Sequence, residues 1–170
     1  MFLFVLLEIL SIFLFFFVTQ KKLKNSLMKA AKAGLMNGAA RFADKPKLIA
    51  VTQLTSIDEA TMQKELLIER HLDEVVKQYA INAKEAGLDG VVCSAFEAEE
   101  IHKNCGGDFL CVTPGIRLVK DGSDDQKRVM TPSEAREAGS DYIVVGRPIT
   151  AADNPANAYT EIMENFITQD

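Results

Sequence analysis

From residue 25 onward, apolar positions alternate between two rhythms. One is a helical spacing of three and four; the other is a short unbroken run, as a strand buried on both faces requires. Asn25 caps a predicted helix carried by Leu27, Met28, Ala31 and Leu35, and Gly38 ends it. Leu48–Thr52 (LIAVT) is the first predicted strand. Ser56 and Glu59 then stand at capping-box spacing, marking a helix start. His71–Ala86 forms a long amphipathic helix on Leu72, Val75, Val76, Tyr79, Ala80 and Ala83, stopped by Gly87. The unit repeats: strand Gly90–Cys93, helix Ala95–Asn104, strand Phe109–Thr113, and the turn Pro114-Gly115. A polar loop, Lys120–Arg128, precedes a short helix opened by Thr131-Pro132-Ser133-Glu134. Strand Tyr142–Val145 ends at Gly146-Arg147, and Asn154-Pro155 starts a closing helix with Ala158, Tyr159, Ile162, Met163 and Phe166 inward.

Four βα units with wholly apolar strands predict an α/β protein, a parallel sheet covered by helices. An open doubly wound sheet and part of a (β/α)8 TIM-type barrel both fit this string. Functional groups follow the strand C-termini, where both architectures place ligands: Thr55 after the first, Arg117 after the third, Gly146-Arg147 after the fourth. No G-x-G-x-x-G and no P-loop motif occurs, which favours an incomplete barrel of four C-terminal βα units plus the leading helix.

Residues 1–18 break the pattern. Their only non-apolar side chains are Glu8 and Ser11, and Lys21, Lys22 and Lys24 follow. A run of that length is about enough to cross a bilayer core, with the lysines on the cytoplasmic side. Two readings stand: a membrane anchor, or sequence joined to the fold by truncation or frameshift. A cleaved signal peptide fits poorly, since no basic residue precedes the run and no A-x-A-like site follows. The chain thus divides into a leader, 1–20, and a barrel part, 21–170.

The 170 residues suit one domain, and a net charge of −5 offers nucleic acid no attractive field. Three cysteines without regular spacing make neither a disulfide framework nor a metal set, and point to a reduced, cytoplasmic setting. Cys93 and Cys111 read as strand core. His71 and His102 stand isolated on helices, and Asp124-Asp125 read as solvated loop charges. The chemistry concentrates at the last two strand ends. Arg117 and Arg147 each follow a glycine there, with Gln126 on the loop between them. Two guanidinium forks and exposed backbone N–H groups suit a phosphate dianion better than they suit solvated surface positions.

VTPGIR (112–117), Asp125-Gln126 and IVVGRPIT (143–150) closely resemble orotidine 5′-phosphate decarboxylase, and LIAVTQLTS (48–56) and GLDGVVCSAFEAEEI (87–101) extend the resemblance in order. It covers roughly residues 23–168, the C-terminal two-thirds of a bacterial enzyme of this family. The resemblance implies a (β/α)8 barrel that works as a homodimer without metal or organic cofactor. The reaction it implies is removal of CO2 from orotidine 5′-monophosphate to give UMP. It gives Thr55 a substrate contact, the 5′-phosphate to Arg117, Arg147 and the Gly146 backbone, and a bridge between phosphate and pyrimidine to Gln126.

The family's Asp-x-Lys-x-x-Asp strand-end motif, whose Lys protonates the carbanion, does not occur in this sequence. Lys45, Lys47 and Lys120 lack that context. No catalytic residue is therefore assigned, and the expectation is an N-terminally incomplete chain, inactive by itself. Two alternatives stand beside it. One is a non-catalytic phosphate-binding module tethered to a membrane through residues 1–18. The other is another phosphosugar barrel, such as a hexulose-phosphate synthase relative.

Overall fold

The computed structural model describes residues 46–118 and 128–167. The apolar leader, the helix predicted over Asn25–Gly38 and the candidate ligand Gln126 lie outside them. Among the described residues, no helix is long and apolar enough to cross a membrane.

Four strands, β1 (Ile49–Val51), β2 (Gly90–Val92), β3 (Leu110–Thr113) and β4 (Tyr142–Ile143), form one sheet in the order β1-β2-β3-β4. All neighbours are parallel, with Ile49 opposite Gly90, Gly90 opposite Leu110, and Val112 opposite Tyr142. Helices α1 (Glu59–Glu65) and α2 (Leu72–Glu85) connect β1 to β2. Helix α3 (Ala95–Cys105) connects β2 to β3, and α4 (Pro132–Glu137) precedes β4. The chain closes with α5 (Arg147–Thr150) and α6 (Pro155–Ile167). Sequential parallel strands joined through helices are consecutive βα units of the (β/α)8 barrel class, and the described residues make four of them, an incomplete barrel.

The helix rhythm builds the main core. Val76, Ala80 and Ala83 of α2 meet Ala98, Ile101 and Cys105 of α3 over Ala50, Val91, Cys93 and Cys111 of the sheet. Small residues dominate both the helix faces and the strands, so helix and sheet backbones approach closely. A second cluster joins Ala95, Ile116 and Ala135. A third, Leu118, Ile149 and Ile162, seats α5 and α6.

One close approach admits only glycine. A Cβ on Gly90 would lie 2.4 Å from the Leu110 carbonyl oxygen and 2.6 Å from the Leu110 Cβ. A second device occurs twice. In Ala86-Gly87-Leu88-Asp89 and Ala138-Gly139-Ser140-Asp141 a helix ends, a positive-φ glycine turns the chain, and an aspartate enters the next strand. Asp89 Oδ2 accepts from Leu48 N and Asp141 Oδ2 from Cys111 N, each at 2.7 Å. Both carboxylates thus satisfy a backbone donor on the neighbouring strand, which would otherwise be left without a partner.

The elements expected among the described residues appear, with shifted ends. Strand β4 pairs over two residues rather than four, and Val144 N still donates to Thr113 O at 3.0 Å before the chain bends at Gly146. The capping box expected at Ser56 and Glu59 does not form. Asp58 caps α1, its Oδ1 accepting from Thr61 N at 2.8 Å. Glu59 instead reaches the start of α2, accepting from Leu72 N at 2.9 Å and from His71 Nδ1 at 3.2 Å. The helix opened by Thr131-Pro132-Ser133-Glu134 does carry a capping box, between Thr131 and Glu134, with Pro132 at the first helical position.

Candidate functional site

The ends of β3 and β4 build the site. After Thr113, Gly115 takes φ +83°, which turns the chain so that Ile116 buries against Ala95 and Ala135. Residues 115–117 then pair with the segment entering α4: Arg117 N donates to Met130 O at 3.0 Å, and Met130 N donates to Gly115 O at 3.2 Å. The Arg117 backbone is fixed from both sides. Its side chain is buried, with Nη1 donating to Ile116 O at 2.8 Å. After β4, the Gly146 carbonyl accepts from Ile149 N and Thr150 N at 2.9 and 3.0 Å, and buried Pro148 and Ile149 anchor α5. Arg147 is left exposed at the surface.

Arg117 and Arg147 line one cavity of about 580 Å³, together with Asp153 and Asn154 just before α6 and Asn157 and Glu161 on it. Its lining is mixed in charge: two guanidinium groups, two amides and two carboxylates. Space beside the Gly146 Cα is open, with nothing within 4 Å of where a Cβ would stand. Thr55, expected at the same ligand, does not line this cavity and is buried in the loop after β1.

A cluster at the same end of the sheet escaped the sequence reading. Glu97 Oε2 accepts from Ser94 N at 2.8 Å, and its other oxygen pairs with Arg128. Arg128 Nη2 also donates to Leu54 O at 3.2 Å. Burial pushes the Glu97 carboxyl above its ordinary range, against the pull of the Arg128 charge. Ser94 and Glu97 carry a capping-box spacing that signals the first contact. Arg128 lies 31 residues from Glu97 and 74 from Leu54, beyond the reach of any local pattern.

At the other strand ends, His102, Cys111 and Asp141 bring ligand-type atoms within 4.8 Å of one another. His102 is thus not isolated: its Nε2 lies 3.1 Å from Asp141 Oδ2, the oxygen that also holds Cys111 N. Asp89 makes the equivalent strand bond to Leu48 N, so the carboxylate serves as a strand cap here too. His71 also has a partner, Glu59. All three cysteines are free thiols in the core. Hydrogen bonding to Cys111, then burial, holds the Cys93 thiol well above its ordinary range, which suits packing rather than nucleophilic chemistry.

The model of the orotidine 5′-phosphate decarboxylase / HUMPS family matches residues 19–162. The chain belongs to this family. It is 54% identical over 142 residues to an orotidine 5′-phosphate decarboxylase of Bacillus cereus (strain Q1), a match covering 84% of this chain and 60% of that protein. The crystal structure of orotidine 5′-phosphate decarboxylase from Lactobacillus acidophilus superimposes with a TM-score of 0.70 at 42% identity. That match covers 85% of this chain and 59% of that one. An uncharacterized conserved protein from Geobacillus kaustophilus matches with a TM-score of 0.60 at 36% identity, covering 89% of this chain and 75% of that one. The chain therefore spans about three-fifths of the length of its curated family relatives.

Proposed function

We propose that this chain is the phosphate-gripping part of an orotidine 5′-phosphate decarboxylase, a carboxy-lyase that converts orotidine 5′-monophosphate to UMP and CO2, and that it has no turnover of its own. The observation that carries this reading is the convergence of Arg117 and Arg147, from consecutive strand ends, on one cavity. Each guanidinium can meet a phosphate dianion with two parallel N–H donors, and the open backbone at Gly146 leaves the ligand room. Thr55 and Gln126 belong to the same reading as contacts beyond the phosphate. So do residues 21–170 as the barrel part, a cytoplasmic setting and the family's homodimer. Decarboxylation through a carbanion needs a cation placed to protonate carbon and fixed charge opposing the departing carboxylate. The sequence holds no Asp-x-Lys-x-x-Asp strand end to supply them. Remote phosphate binding energy accelerates a reaction only when a reacting centre is present to use it.

The test has two arms on the full 170-residue chain. Calorimetric titration of UMP should show binding, weakened by about 1.5–3 kcal/mol in Arg147→Ala, the scale of a hydrogen bond to a charged group. Following orotidine 5′-monophosphate absorbance should show no loss above background. Equal UMP affinities would misplace the phosphate site. Robust turnover would require a catalytic lysine absent from the family position.

A further inference from the structure

We propose that Arg128, paired with Glu97, is a positioning residue for the phosphate grip and acts through Arg117; the inference rests on the phosphate reading above. Arg128 ties together loops that follow three different strands. Its side chain pairs with Glu97 on α3, after β2, and donates to Leu54 O in the loop after β1. Two residues on, Met130 brackets the Gly115–Arg117 segment after β3 with two backbone hydrogen bonds. The pair is largely withdrawn from water, at 15% and 11% side-chain exposure, so its geometry is held rather than averaged among solvated rotamers.

Arg117 inherits that geometry. Its side chain is 9% exposed and folds back on its own segment through Ile116 O, so its guanidinium goes where residues 115–117 go. Those residues follow Met130, and Met130 follows the anchor at Arg128. Arg147 lies on α5, which buried Pro148 and Ile149 anchor, Ile149 packing with Leu118 and Ile162. Loss of the Arg128 anchor should therefore act on the phosphate grip through the Arg117 fork, whose segment bonds directly to Met130.

The test titrates UMP calorimetrically into the full chain and its Arg147→Ala, Arg117→Ala, Arg128→Ala, Arg128→Lys and Glu97→Gln variants, and the Arg117→Ala/Arg128→Ala double variant. Circular dichroism checks folding. Arg128→Ala should weaken UMP about tenfold, the factor carried by one contact, with Arg128→Lys between it and the parent. In the Arg117→Ala background the same substitution should change affinity by less than about twofold, because the effect runs through Arg117. An equal loss in both backgrounds would make Arg128 merely structural and overturn the proposal. If Arg147→Ala weakens UMP but Arg128→Ala and Glu97→Gln bind like the parent, the proposal alone fails. If Arg147→Ala also binds like the parent, the phosphate reading fails and takes the proposal with it. Should Arg128→Ala not fold, Glu97→Gln decides: parent-like affinity overturns the proposal, and weakened affinity that Arg117→Ala cancels supports it.

Discussion

Gly90→Ala tests the packing of the sheet most directly. The new methyl carbon would stand 2.4 Å from the Leu110 carbonyl oxygen, 2.6 Å from its Cβ and 2.9 Å from its Cα. The obstacle is largely the backbone of the neighbouring strand, so no rotamer change relieves it. Strands β2 and β3 must move apart by about 1 Å in an interior packed to crystal-like density. Overpacking of this kind costs about 1–3 kcal/mol. The bond from Leu110 N to Asp89 O, 3.0 Å long, spans the same spot, and losing it adds about 1 kcal/mol. Alanine's lower unfolded-state entropy returns about 0.4–1 kcal/mol. The net is a destabilisation of about 1–3.5 kcal/mol, or a melting temperature lowered by about 2–14 °C for a chain of this size. Thermal and urea melts followed by far-UV circular dichroism read it. Gly107→Ala is the control, because its Cβ meets nothing within 4 Å, and it should stay within about 0.5 kcal/mol of the parent. A Gly90→Ala protein melting with the parent would refute the reasoning, as would a control equally damaged.

The repeated strand cap makes a second test: Asp141→Ala and Asp89→Ala should each cost about 1.5–3 kcal/mol, because each strands a backbone N–H that donates to a charged acceptor. Unchanged urea midpoints in both would remove the cap from the account of the fold. The Glu97 carboxyl titrates above its ordinary 4.5 in the folded protein. Its contribution to stability is therefore fully present below that value and is lost as pH rises through the folded pKa. Arg128→Met removes the charge that pulls this pKa down, so its urea midpoint should fall more steeply from pH 4.5 to neutrality than the parent's, whereas Glu97→Gln should flatten the fall. A shallower fall in Arg128→Met would contradict the assignment.

Strand and helix identity were legible because they rest on local rhythm. A run such as Gly-Val-Val-Cys at 90–93 is apolar on both faces, which only a covered sheet rewards, and the helices between such runs leave a parallel sheet as the economical solution. The shared cavity of Arg117 and Arg147 was legible for a related reason, since turn glycines mark the ends of the consecutive strands they follow. Side-chain partners were another matter. Glu59 stands at the spacing of a cap for its own helix, yet it serves the next one, because the chain after α1 brings the start of α2 back to the start of α1, where Leu72 N donates to Glu59 at 2.9 Å. Asp89 and Asp141 carry no local signal of a partner, and only strand order places each against the N–H of a neighbouring strand. Arg128 looks like the end of a polar loop, and only the sheet brings it to Leu54, 74 residues earlier, and to Glu97. Periodicity reports which face of an element is buried. Which polar groups meet across that burial depends on the order of the strands and on where each loop leaves the sheet, and a local pattern contains neither.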